Sequence, residues 1–304
     1  MNNLSYILII PVLFFSLSGC GSSGEDSAPK VQAPTCLDVK ETTYNYFWTN
    51  GARKLTSSEI SILNDDANLA NSDCLSAAGM LYELGYEDEN IPVDYNIANQ
   101  FFNAAASEGE KYAQYYLGIN YLQGYGLELN YSTAYHWFYL SASQGLMQAQ
   151  ASLGYMYDNG YGTSLDYNEA YNWFLLSANQ GFDYAQNYIG KYYHNGYGVS
   201  QDYTQALEWY TLAANQGYRY SQYSIGTLYY YGYGVTQNYN TAYTWFLLAS
   251  EQNYPEAQYA LGYMLYNGVG VTKDTLSGIN YWKLAAQQGN EQAIDVLNDL
   301  GIGY

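Results

Sequence analysis

The chain has 304 residues, room for two ordinary domains or one long array. Its formal net charge is -19, from 28 acidic residues against nine Lys and Arg. That balance argues against a nucleic-acid partner, whose affinity comes largely from cations neutralising phosphates, and favours cationic partners.

At the start, Tyr6 to Leu17 form an apolar run too short to span a bilayer and placed as the h-region of an export leader over residues 1–19. The preceding MNNLSY has no Lys or Arg. The run closes on Leu17-Ser18-Gly19-Cys20, which resembles the lipobox of bacterial lipoproteins. The resemblance implies cleavage before Cys20 and acylation of Cys20. With Gly21 rather than Asp following, it also implies sorting to the periplasmic face of the outer membrane.

Residues 20–35 are rich in Gly, Ser, Pro and Ala without apolar periodicity and read as a flexible tether. If Cys20 carries lipid, Cys36 and Cys74 remain as an even pair. Joined, they close a loop of about forty residues, worth roughly 3 to 4 kcal/mol in the chain-entropy model; the alternative is two buried thiols. Residues 36–73 read as an N-terminal helical cap.

From residue 74 the chain repeats itself at steps of 36. LQGYGLELNY, MYDNGYGTSLDY, YYHNGYGVSQDY, LYYYGYGVTQNY and LYNGVGVTKDT are one loop met five times. Asp94, Asn130, Asp166, Asp202, Asn238 and Asp274 stand at the same step before runs of Ala and aromatics, as N-caps whose side chains accept an otherwise unpaired backbone N–H. Fifteen residues after each come Gly109, Gly145, Gly181, Gly217, Asn253 and Gly289, the residue types that close a helix in the left-handed conformation. The helix between these marks is B. It carries a small residue and an aromatic pair, such as Ala134 with Trp137 and Phe138. A second helix, A, follows, with Ala113, Leu117 and Tyr121 recurring as Ala149, Leu153 and Tyr157 on one stripe. Gly118, Gly154, Gly190, Gly226 and Gly262 lie inside helix A. Each weakens the helix by roughly 1 kcal/mol relative to Ala, which predicts close contact with helix B.

Ala185 to Ala214 sets out the full pattern, with Gln186, Ile189, Gly190, Gly196, Gly198, Val199, Asp202, Tyr203, Ala206, Trp209 and Tyr210 in place. It resembles the Sel1-like repeat, a relative of the tetratricopeptide repeat. Ser221 and Gly278 replace Ala, and Tyr281-Trp282 reverses the aromatic order. The resemblance implies an all-α, right-handed α-solenoid of about six 36-residue helix-turn-helix repeats over residues 74–304, ending in a capping helix. It also implies A helices lining the concave side, and an adaptor role.

Counting Ala113 as zero, positions 2, 6 and 9 of helix A vary between repeats and form a stripe apart from the constant one. With Ile119 and Ala151, it reads Tyr115; Tyr155 and Asp158; Asn187, Lys191 and His194; Tyr223, Thr227 and Tyr230; Tyr259, Tyr263 and Tyr266. Tyrosine gives large amphipathic contact area at little entropic cost. The expected ligand is an extended or cationic segment of another protein, bound by a monomer held to the membrane through Cys20. A glycan stacked on the rings is the alternative. No nucleophile elbow, phosphate loop, metal cluster or cofactor motif appears, and hydrolysis of an envelope substrate is the remotest reading. Glu87-Asp88-Glu89 reads as a solvated loop.

Overall fold

The computed structural model describes residues 39, 40, 42, 43, 56–63, 71–85 and 91–304. The leader, Cys20, the tether, Cys36 and Glu87 to Glu89 lie outside the described residues. Fourteen helices occur among them: α1 Ser57–Leu63, α2 Ser72–Leu84, α3 Tyr95–Ser107, α4 Lys111–Gln123, α5 Tyr131–Ser143, α6 Met147–Asn159, α7 Tyr167–Ala178, α8 Asp183–Asn195, α9 Tyr203–Asn215, α10 Arg219–Tyr231, α11 Tyr239–Glu251, α12 Pro255–Asn267, α13 Thr275–Gln287 and α14 Glu291–Asp299. From α2 onward, A and B helices alternate. The fold is an all-α array of helix pairs, the α-solenoid class. The chain divides into two compact units, Met1–Leu165 and Asp166–Tyr304. Within each, consecutive helices pack: α2 through α6 in the first and α7 through α14 in the second.

The periodic marks in the sequence do the work read from them. Each of the six Asp or Asn residues before a B helix caps it, as when Asp202 accepts from the Thr204 and Gln205 N–H groups. Asn253 takes φ 57° where the other five repeats use glycine, the one non-glycine at positive φ among the described residues. Asn tolerates this conformation because its short side chain bonds locally.

The mid-helix glycines are seats for rings. A Cβ on Gly118, Gly190 or Gly226 would stand 2.6 Å from the ring of Phe138, Tyr210 or Phe246. The helix penalty of the glycine is thus offset by a fully buried aromatic worth several kcal/mol. The partner tryptophans Trp137, Trp209 and Trp245 are only half-buried. Reversing the pair at the end buries Trp282 instead, whose Nε1 donates to the Tyr259 carbonyl at 3.2 Å. Gly278 replaces Ala there because a Cβ would come within 2.9 Å of the Gly262 carbonyl.

Two features stitch neighbouring repeats together and are carried by tyrosine and glutamine. Loop tyrosines stack on the first residue of the preceding B helix: Tyr125 on Tyr95, Tyr161 on Tyr131, Tyr197 on Tyr167 and Tyr233 on Tyr203, with centroids 4.8 to 5.0 Å apart. A glutamine relay runs beneath. Gln252 Nε2 donates to the Gly217 carbonyl and to Gln222 Oε1, both at 2.8 Å. Gln144 with Gln114, Gln216 with Gln186 and Gln288 with Gln258 repeat the amide contact.

At the N-terminal edge, Val39, Ile60 and Leu63 pack with Cys74, Ala77 and Leu81. Cys74 is fully buried and disulfide-bonded. Lys40 Nζ donates to Asp73 at 2.6 Å and to Glu110 at 3.3 Å.

Candidate functional site

The variable stripe of the A helices takes different forms in the two units. In the first, Tyr115 is 1 % exposed. Its ring lies against Tyr116 and Phe138 at 5.6 and 5.8 Å, so it is core rather than ligand surface. Ile119 and Ala151 are buried too. Tyr155, 5.9 Å from the Tyr161 ring, and Asp158 are half-exposed.

In the second unit, Asn187, Lys191, Tyr223, Thr227 and Tyr259 are half-exposed, while Tyr263 is 42 % exposed. The A helices are tied laterally, since Ser221 Oγ donates to Asn187 Oδ1 at 2.8 Å. The serine that departs from the repeat pattern therefore bonds one A helix to the next. Lys191 Nζ lies 5.0 Å over the Tyr188 ring.

Position 9 does not belong to this surface. It sits on the last turn of helix A, against the following B helix. His194 is edge-on to Tyr203 at 5.1 Å and near Tyr233, and burial lowers its pKa. Tyr230 meets Tyr239 at 5.2 Å, and Tyr266 meets Trp282 at 4.8 Å. These three are packing residues with one edge in water.

The stripe instead continues through positions one before and ten after the reference alanine, which are the next helical steps of three and four. Position -1 of α12 is Glu256, and position 10 of α10 is Tyr231, 58 % exposed. The patch on α10 and α12 is thus Tyr223, Thr227 and Tyr231 beside Glu256, Tyr259 and Tyr263. Its phenols influence one another. Burial, then the neighbouring Tyr263 and Tyr231, raises Tyr259. Burial raises Tyr223 despite its hydrogen bond with Thr227, with Glu256, Tyr231 and Tyr259 adding to the rise. The raised Tyr223 and Tyr259 stay protonated at neutral pH, and the patch offers hydroxyls, ring faces and one acidic side chain. Sequence reasoning missed Glu256 and Tyr231 because the stripe was cut at three positions. The signal that finds them is the same helical periodicity carried one step further at each end.

Among the described residues no group of His, Cys, Asp or Glu is placed to hold a metal, and no helix is long and apolar enough to cross a membrane.

The repeat read from this geometry has a family. The Sel1 repeat family model matches residues 72–110, 111–146, 148–182, 183–218, 219–254 and 255–290. The chain belongs to the Sel1 repeat family. Sel1 repeat proteins generally mediate protein–protein interaction, and their scaffold is generally non-catalytic. Among solved structures, the chain is similar to c5321, a protective antigen present in uropathogenic Escherichia coli strains and displaying an SLR fold. The identity is 30% and the TM-score 0.69, over 85% of this chain and 55% of that one. The chain thus spans little more than half the length of c5321. A Sel1 repeat protein from Oxalobacter formigenes is 26% identical with TM-score 0.69, over 75% of this chain and 90% of that one. No curated protein matches the chain in sequence.

Proposed function

We propose that this Sel1 repeat protein is an adaptor that holds an extended, partly apolar segment of another protein on the tyrosine patch of α10 and α12. It acts as a monomer anchored by acylated Cys20 to the periplasmic face of a bacterial outer membrane. The observation that carries the binding reading is a contrast within the repeats. Tyr263 is exposed on helix A and takes no part in ring stacking among the described residues, whereas the loop tyrosines Tyr125, Tyr161, Tyr197 and Tyr233 are all taken up in stacking, and the exposed Tyr231 lies on Tyr233. Exposed tyrosines grouped on one face are the side chains enriched in interface hot spots. The lipobox-like Leu17-Ser18-Gly19-Cys20 supports the anchor; more than one acyl chain gives stable attachment.

The test is a crosslinking pull-down from solubilised envelope, run with the full chain and with a Tyr231→Ala, Tyr259→Ala, Tyr263→Ala variant. Capture by the first and loss by the second, with unchanged helicity, supports the adaptor reading. Equal capture by both moves the site elsewhere. Retention on peptidoglycan or capsular glycan with no protein captured replaces it with glycan binding. The anchor is tested by metabolic labelling with a fatty-acid analogue, which Cys20→Ser abolishes.

A further inference from the structure

We propose that the patch on α10 and α12 is a subsite for an arginine side chain of the partner segment, its guanidinium lying on the Tyr259 and Tyr263 rings and pairing with Glu256. The inference rests on the adaptor reading and specifies what that surface selects.

The first support is a carboxylate with one oxygen unfilled. Glu256 Oε2 is buried, and no donor reaches it in hydrogen-bond geometry. Burial, then the Glu256 charge, raises Tyr254, whose hydroxyl also bonds the carboxylate, and burial raises Tyr223 with Glu256 adding to it. A buried carboxylate oxygen without a donor is unfavourable until a cation or donor reaches it. No Lys or Arg of the described residues forms an ion pair with Glu256; those pairs are confined to Lys40.

The second support is how the chain treats its own cations. The second unit has four, Lys191, Arg219, Lys273 and Lys283, and three of them lie on tyrosine rings. Lys191 is over Tyr188, and Lys273 is 5.8 Å from the Tyr266 centroid. Arg219 is 5.2 Å from Tyr220 and 6.0 Å from Tyr254, with Nη1 donating to the Gln252 carbonyl. Ring faces attract cations through their quadrupole. Tyr259 and Tyr263 offer the same faces with no cation of the chain upon them, whereas Tyr223 packs on Phe246 and Tyr254 and Tyr231 on Tyr233. Charge complementarity points the same way, at a net charge of -19. Arginine fits better than lysine because its planar guanidinium stacks on a ring while its fork bonds a carboxylate.

The test uses the full chain and two blocked glycine-serine peptides, one carrying arginine at alternate positions and one carrying citrulline, its uncharged isostere, at the same places. Binding is followed by calorimetry at physiological salt. The expected result is binding of the arginine peptide and at least about tenfold weaker binding of the citrulline peptide, a step of roughly 1.4 kcal/mol. Glu256→Gln, which keeps shape and fold, weakens the arginine peptide about tenfold, and Tyr263→Leu weakens it further. Tyr139→Ala, exposed on α5, leaves it unchanged. If both peptides bind equally and both are lost in Tyr263→Leu, the patch binds peptide but the cation subsite is wrong. If the arginine peptide binds all variants alike, its attraction is the diffuse charge of the chain and the subsite is wrong. Failure of the arginine peptide to bind also overturns it, while the pull-down still decides the adaptor reading separately.

Discussion

The two units solve the same packing problem with the same helix pair, yet spend the free face of helix A differently. In the first unit, Tyr115, Ile119 and Ala151 of positions 2 and 6 are drawn inward and buried, and only Tyr155 stays half-exposed. Its first repeat adds a polar cluster found nowhere else among the described residues. Asn120 Nδ2 donates to Glu83 Oε2 and to Asn99 Oδ1, both at 2.9 Å, and Asn99 donates to the Tyr125 carbonyl. The second unit fills the place of Asn120 with Tyr192, Leu228 and Met264, all buried, and leaves Tyr263 and Tyr231 in solvent. The lesson is that a repeat fixes which positions must pack and leaves the remainder free for internal locking in one place and for display in another.

The largest expected effect separates buried from displayed tyrosine. Tyr115→Ala should destabilise the chain by about 3 to 5 kcal/mol, as for other large core rings. Tyr263→Ala should change stability by no more than about 0.5 kcal/mol. Paired urea titrations followed by circular dichroism check this, and equal losses would erase the distinction between the units.

Next comes the polar cluster. Burial pushes the Glu83 carboxyl up to about 7, against the hydrogen bond from Asn120, which lowers it. Tyr95 is the neighbouring phenol that feels its charge. The native state therefore holds the proton more tightly than the unfolded chain. The resulting stabilisation is fully present below about pH 4.5 and is lost as pH rises through about 7, at most roughly 3.5 kcal/mol at about 1.4 kcal/mol per unit. Asp183, raised to about 6 by burial despite hydrogen bonds from backbone N–H groups, adds a slope of the same sign in the second unit. Urea midpoints across this range should fall with rising pH, and Glu83→Gln should flatten the Glu83 part alone. An unchanged slope in that variant would remove the cluster from the account.

The glutamine relay is common to both units, so Gln114→Ala and Gln222→Ala should destabilise alike, by about 1 to 3 kcal/mol each through the amide left without its partner. A difference between them larger than that range would mean the units are stitched differently. The smallest effect is at the caps. Asn130→Ala and Asn238→Ala should each lower stability by about 1 kcal/mol, read as small matched shifts in thermal midpoint.

Much of this was legible in the sequence because it recurs. Caps, left-handed closing residues and ring-seating glycines return every 36 residues, and a requirement repeated six times stands out from chance. The site was legible only in part. Tyr223, Tyr259 and Tyr263 lie on the expected stripe, but position 9 fell to the neighbouring B helix, as His194 on Tyr203 shows. Tyr115 fell to the core, packed against Tyr116 and Phe138. The Glu83, Asn99 and Asn120 cluster occurs once, so periodicity was blind to it. Glu256 was invisible for a related reason: in sequence it is one acidic residue in the first turn of a helix, and only packing leaves its oxygen without a donor.

The most direct test of the binding surface is site-specific photo-crosslinking in cells. Tyr263→p-benzoylphenylalanine places the probe on the patch, and Tyr139→p-benzoylphenylalanine places it on an exposed B-helix face of the other unit. The expected result is a discrete protein adduct from position 263 and none from 139. An adduct from 139 with none from 263 would contradict the assignment of the tyrosine patch as the partner's seat.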